Sequence, residues 1–293
     1  MKVVTLNDPN HIHLYLEGTC PNPIDNNFKY NKYIAYLTKD KIPITNTNRN
    51  MVILYGIPCS GKSSILNKML TNKEINIDLT NTIIVDPDAA RIFSDDFSKI
   101  ITGEYYYNTL SEDEKKLFTI RPKFINGLNL NFYLYKGKFI PTYKDSVMRT
   151  ISLVRNKVQK NFNQFELFNI IYDSPCLDSD FCVSLINKVY NNKYNVYVNL
   201  IGVFVPKNIV ENRCDTRNYN EGRYTDSELI KKTFTDMYTN LTPTNNDIKK
   251  FIDNFTSQLK KIKYKSNGYD HNFYINGDKV YSENKSGVNL NTL

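Results

Sequence analysis

Residues Met51 to Leu70 read MVILYGIPCSGKSSILNKML. A short apolar run, Met51-Val52-Ile53-Leu54-Tyr55, passes through Gly56-Ile57-Pro58-Cys59-Ser60-Gly61-Lys62-Ser63 into a helical pattern with Ile65, Leu66, Met69 and Leu70 on one stripe. The octet has two glycines separated by four residues and followed by Lys and Ser, which is the Walker A spacing. The run before it is what a strand buried on both faces of a parallel sheet requires. Gly56 and Gly61 allow backbone conformations that a Cβ forbids. An accidental Gly/Ser-rich turn would not need a buried strand before it and an amphipathic helix after it.

The expected fold is therefore α/β, a P-loop NTPase three-layer sandwich with a mostly parallel sheet. In such a loop the amides from Gly56 through Ile57, Pro58, Cys59, Ser60, Gly61, Lys62, Ser63 and Ser64 enclose phosphate oxygens, less the one that Pro58 lacks. The helix dipole adds to the attraction. Lys62 reaches the β- and γ-phosphates and the Ser63 hydroxyl holds Mg²⁺, so ATP and Mg²⁺ are the implied cofactors.

Outward from the loop, Thr82-Ile83-Ile84-Val85 forms a second apolar run that delivers Asp86-Pro87-Asp88-Ala89-Ala90-Arg91 to its C-terminal end. Ligands gather at such ends in open parallel sheets. A carboxylate there can accept the proton of an attacking hydroxyl, and an Arg one helical turn on can balance it. One aspartate can instead cap the following helix with Pro87 in its first turn. The two roles are compatible, and Asp88 with Arg91 is expected to face substrate.

A third run, Leu167-Phe168-Asn169-Ile170-Ile171-Tyr172, ends at Asp173-Ser174-Pro175. An acid at that strand tip is placed to complete a Mg²⁺ shell through water. The next residue is Ser174 rather than an acid that would activate water, which favours transfer to an organic hydroxyl over hydrolysis. Helix Ser179 to Tyr190 leads to a fourth apolar strand, Val196 to Val205. The helix after it, Lys207 to Tyr219, carries Arg213 and Arg217 one turn apart, and Arg223 completes three arginines within eleven residues. That cluster suits a lid over a transferring phosphate; a solvated basic helix is the plainer alternative.

Composition sets outer limits. The chain has 293 residues, 41% hydrophobic and 23% charged, ordinary for a globular protein of one large or two small domains. Its formal charge of +8 makes nucleic acid a possible partner, although Lys, Asn, Ile, Tyr and Phe share AT-rich codons, which weakens that inference. Five cysteines, Cys20, Cys59, Cys176, Cys182 and Cys214, are odd in number and contain no CxxC pair. They are expected to be free thiols in a reducing, cytoplasmic compartment. No run of 18 apolar residues offers a membrane span, and oligomeric state is not legible.

The domain reading is an N-terminal extension, 1–49, a P-loop kinase domain, 50–265, and a C-terminal tail, 266–293, polar and loose after Gly277. In the extension, His11 to Leu16 and Tyr33 to Thr38 look like strands, and His11 with His13 lacks a third metal ligand. Within 94–145, a substrate-facing insertion, Ser111-Glu112-Asp113-Glu114 resembles a helix start. There, Asn131 to Pro141 reads as a hairpin turning at Lys136-Gly137, its lysines and aromatics interleaved as on some nucleic-acid surfaces. Asp145 to Phe162 is an amphipathic helix with Val147, Ile151, Val154 and Val158 on one stripe. Ser227 to Tyr264 is helical.

Together the P-loop, VDPDAAR, IIYDSP and RCDTRNYNEGRYTDSEL resemble the zeta-toxin and polynucleotide-kinase group of P-loop kinases over about residues 50 to 235. The resemblance implies an ATP-dependent phosphotransferase with Asp88 as catalytic base and Arg91 as a substrate-holding partner. It also implies Arg223 with Arg217 or Arg213 as lid arginines on the γ-phosphate. The implied acceptor is a hydroxyl of a nucleotide-sugar, a nucleotide or a nucleic-acid end. A nucleotide-binding regulatory protein without turnover is the competing class, and no NKxD-type motif supports a GTPase.

Overall fold

The computed structural model describes residues 3–5, 14–16, 28–139, 153–176, 178–221, 230–231, 245–261 and 265–286. They divide into two compact units, one from residues 1–36, 87–158 and 213–225, the other from 37–86, 159–212 and 226–293.

The second unit is built on a six-stranded sheet. Its strands are β3 (Asn48–Tyr55), β4 (Thr82–Val85), β8 (Asn169–Asp173), β9 (Asn195–Phe204), β10 (Lys265–Ile275) and β11 (Asp278–Ser286), in the order β11-β10-β9-β3-β8-β4. All neighbours are parallel except β11, which folds back antiparallel on β10 as an edge. β3 lies in the interior between β8 and β9, which is why Met51 to Tyr55 are all apolar and fully buried. Register then fixes the site: Leu54 pairs with Asp173 and Tyr55 with Gly202, so the tip of β8 lies beside the end of the strand that enters the P-loop.

Side chains alternate across the sheet. Val52 and Leu54 pack with Ile65, Leu66 and Met69 of the helix Lys62–Thr71, together with Ile171, Ile201 and Val203. On the other side Tyr55 stacks on Phe255 of the helix Asn245–Lys261 at 4.3 Å between ring centroids. Asn254 of that helix donates to Ser179 at the start of the helix Ser179–Tyr190. Helices thus cover both faces of a largely parallel sheet, the three-layer arrangement of a P-loop NTPase. Gly202 has to be glycine here, because a Cβ would collide with the rings of Tyr55 and Phe273.

In the first unit, β1 (Val3–Thr5) and β2 (Leu14–Leu16) form an antiparallel pair, while β5 (Phe118–Ile125), β6 (Leu128–Tyr135) and β7 (Lys138–Phe139) form an antiparallel sheet. The turn at Lys136-Gly137 is as expected, with both residues at positive φ. The capping box expected at Ser111 is present, with Ser111 and Glu114 bonded reciprocally. β5 was not foreseen, although Asn126-Gly127, both at positive φ, form the β5–β6 turn and are a strong hairpin signal.

Three expectations are corrected. Tyr33 to Thr38 is not a strand but part of the helix Tyr30–Thr38, which buries Tyr30, Tyr33 and Leu37 at helical spacing. The residues after Gly277 are not loose through their described length; β11 pairs with β10 at the edge of the sheet. Cys176 and Cys182 are not free thiols; they form a disulfide with Cα atoms 5.8 Å apart, across the loop between β8 and the next helix. His11, His13, Cys20, Val147, Ile151 and Arg223 lie outside the described residues.

Candidate functional site

The loop after β3 folds as its glycines dictate. Gly56 stands at φ 138°, where a Cβ would meet the backbone oxygen of Val203, and Gly61 at φ 92° precedes the helix Lys62–Thr71. The Gly56 amide donates to the carbonyl of Pro175 at 3.0 Å, tying the loop entrance to the segment after β8. Ile57 and Ser60 are buried, Pro58, Cys59 and Gly61 half-buried, and Ser63 and Ser64 exposed at the helix start. The Lys62 side chain folds back over the loop, where its Nζ donates to the carbonyls of Gly56 and Ile57, each at 3.1 Å.

The deciding contact is between the helix start and the tip of β8. Ser63 Oγ donates to Asp173 Oδ2 at 3.0 Å, so the hydroxyl and the acid chosen from sequence as metal-holding residues converge. This is a P-loop NTPase fold. The P-loop fold supplies two oxygen donors of the hard type that Mg²⁺ prefers, and phosphate oxygens and water complete such a shell. No group of three or more His, Cys, Asp or Glu side chains forms a metal cluster among the described residues.

A second set lies in the other unit. The short helix Pro87–Ala90 begins at the second residue after β4 and runs into a 3-10 turn, Arg91–Phe93. Arg91 Nε donates to the Asp88 carbonyl at 2.9 Å, and its guanidinium lies over the Phe97 ring at 5.0 Å. Its Nη2 stands 3.7 Å from Asp88 Oδ1. Arg155, on the helix spanning 153–160, brings its own Nη2 to 3.6 Å from the same oxygen. Asp88 is thus flanked by two guanidiniums, one of which the sequence reading did not place there. Asn126, in the β5–β6 turn, donates to the Ala89 carbonyl at 3.4 Å, so the insertion's hairpin is seated on the helix that carries Asp88.

Arg213 is exposed and Arg217 half-buried on the helix Lys207–Glu221. Among the described residues no helix is long and apolar enough to cross a membrane.

No family model matches the chain, and no curated protein matches it. Among solved structures it is similar to one from the PezAT chromosomal toxin–antitoxin system of Streptococcus pneumoniae. The identity is 14% and the TM-score 0.47, over 89% of this chain and 81% of that one. It is also similar to a candidate kinase from Chloroflexus aurantiacus at 11% identity and a TM-score of 0.29, over 64% of this chain and 78% of that one. The P-loop fold is carried by the chain's own strand order and by the pairing of Ser63 with Asp173.

Proposed function

We propose that the chain is an ATP-dependent phosphotransferase that moves the γ-phosphoryl group to a hydroxyl of a nucleotide-sugar, a nucleotide or a nucleic-acid end. The observation that carries this reading is the 3.0 Å contact of Ser63 with Asp173 beside a Lys62 ammonium that donates to the loop carbonyls of Gly56 and Ile57. Phosphate oxygens are stronger partners for that ammonium than neutral carbonyls. In the proposed reaction the loop amides and Lys62 hold the nucleotide, while Ser63 and Asp173 hold Mg²⁺, which would neutralise charge on the β- and γ-oxygens. Asp88 accepts the proton of the attacking hydroxyl, with Arg91 bracing its carboxylate. Arg223 with Arg217, or Arg213 in its place, meets the charge of the transferring group.

Asp173 is followed by Ser174, so no second acid stands next to it to activate water. That supports transfer over hydrolysis. The test is ATP consumption with Mg²⁺ and a hydroxyl acceptor by wild type and by Asp88→Asn. Turnover that needs the acceptor and is lost in the variant supports the reading. ATP binding without turnover against nucleotide-sugar and 5′-hydroxyl panels favours a nucleotide-binding module instead.

A further inference from the structure

From Asp173 to Cys176, the segment that leaves β8 meets the P-loop and then a disulfide. Asp173 accepts from Ser63, the Pro175 carbonyl accepts from the Gly56 amide at 3.0 Å, and Cys176 is bridged to Cys182. Cys176 stands at φ 47°, in the left-handed region that disfavours a residue with a Cβ by about fivefold to thirtyfold. Cys182 lies in the first turn of the helix Ser179–Tyr190, whose start is secured without the bridge. Asp178 caps it through the Phe181 amide at 3.0 Å, its carbonyl accepts from the Cys182 amide at 3.1 Å, and Asn254 donates to Ser179 at 3.0 Å. One end of the bridge is therefore an anchor, and the other is a strained residue next to the proline that touches the P-loop.

We infer that the Cys176–Cys182 bridge is a redox switch on the P-loop: closed, it keeps the loop in its nucleotide-binding form, and opened by a dithiol reductant it weakens the binding of ATP with Mg²⁺. The inference rests on the nucleotide-binding part of the reading above and adds the regulation of that site. In the exchange, one thiolate of the dithiol attacks a sulfur of the bridge, the S–S bond breaks and a mixed disulfide forms. The second thiolate displaces the remaining cysteine, so the dithiol leaves as its own disulfide. Two electrons and two protons end on Cys176 and Cys182 as thiols. Cys176 is then free to leave the left-handed region. The Pro175 carbonyl moves with it, the Gly56 amide loses its acceptor, and the loop entrance loses its tie to β8. Nucleotide binds only the fraction of molecules that keep the closed arrangement, so the apparent Kd rises by the inverse of that fraction. By linkage, bound ATP with Mg²⁺ makes the bridge harder to reduce by the same factor.

The test is calorimetric titration with ATP and Mg²⁺ of the oxidised and the dithiothreitol-reduced full chain, with alkylation and mass spectrometry fixing the state of Cys176 and Cys182. Reduction is expected to weaken binding by about fivefold to thirtyfold. The double variant Cys176→Ser with Cys182→Ser should bind like reduced wild type and ignore dithiothreitol. Cys176→Gly with Cys182→Ser should bind severalfold more tightly than the double serine variant, because glycine takes the left-handed conformation without penalty. A measurement on wild type alone stands beside these: saturating ATP with Mg²⁺ should shift the reduction equilibrium of the bridge by the factor that reduction takes from ATP affinity. The inference is overturned if reduction changes the affinity by less than about twofold, or if the response persists in the double serine variant. A glycine variant no tighter than the serine one, or a reduction equilibrium indifferent to ATP, overturns it too. ATP binding that ignores the redox state contradicts the switch alone. Redox-dependent ATP binding without phosphoryl transfer to any acceptor contradicts the phosphotransferase alone, and no ATP binding in either state contradicts both.

Discussion

Ser63 Oγ donates to Asp173 Oδ2 at 3.0 Å, a contact between the first turn of one helix and the tip of a strand far along the chain. It follows from the parallel register that pairs Leu54 with Asp173. On the proposed role of this pair in holding Mg²⁺, Ser63→Ala and Asp173→Ala are each expected to weaken ATP binding in Mg²⁺. The loss should be about tenfold or more and should largely vanish in EDTA. Titrations of each variant with and without Mg²⁺ check this, and a loss that persists undiminished in EDTA counts against the metal role.

Gly56 has no room for a side chain, since a Cβ would meet the Val203 carbonyl oxygen and its φ of 138° is strained for any other residue. Gly56→Ala is expected to remove the rise in melting temperature that ATP gives wild type. An unchanged ATP-dependent rise would show that the loop conformation described here does not bind the nucleotide.

Arg49, 1% exposed, is clamped at the opposite end of the same strand. It donates to the carbonyls of Glu166, Asn46, Asn48 and Ile44 at 2.8, 2.7, 2.9 and 3.2 Å, and lies over the Tyr194 ring at 4.2 Å. Losing this set strands several carbonyls, so Arg49→Ala should cost roughly 3 to 5 kcal/mol. Arg49→Lys should recover under half of that, because an ammonium cannot span the same fork. Urea unfolding measures both, and a cost below about 1 kcal/mol for the alanine variant would contradict the clamp.

His271 is fully buried on β10, bonded through its ring nitrogens to Tyr55 and Thr256. Burial pushes its pKa down from 6.5 to about 3. The folded value lies below the unfolded one, so between these limits the unfolded chain binds more protons. Stability from this group is present above pH 6.5 and is lost as pH falls toward 3, by on the order of 4 kcal/mol across the window. His271→Gln should flatten the acid limb of the stability curve between pH 6.5 and 4. Parallel limbs for variant and wild type would contradict the assignment.

The Cys176 to Cys182 disulfide closes a short loop directly after Asp173 and Ser174. A bridge of that span contributes roughly 2 kcal/mol by limiting the unfolded chain. Cys182→Ser should therefore melt lower than wild type under oxidising conditions, and a dithiol reductant should erase the difference. Identical melting under both conditions would contradict the bridge.

The sequence was most legible where one force acted alone. β3, the P-loop and the helix Ser179–Tyr190 were readable because continuous apolar runs, forced glycines and a clean helical stripe leave one solution each. β10 was not, since a strand that buries His271 and Asn272 looks polar, and only its register against β9 makes it core. The helix Tyr30–Thr38 was misread because Tyr and Ile suggest a strand locally, while their burial period is helical. Asp88 and Arg91 were visible as neighbours along one turn; Arg155 was not, since its place beside Asp88 is set by the packing of a distant helix.

The central claim is tested most directly by following phosphate from radiolabelled ATP into nucleotide-sugars and 5′-hydroxyl oligonucleotides, with Mg²⁺, for wild type and Asp88→Asn. The account predicts acceptor-dependent labelling by wild type, and its loss in Asp88→Asn by about a hundredfold or more with ATP affinity retained. Equal labelling by both proteins, or ATP hydrolysis that no acceptor alters, would contradict it.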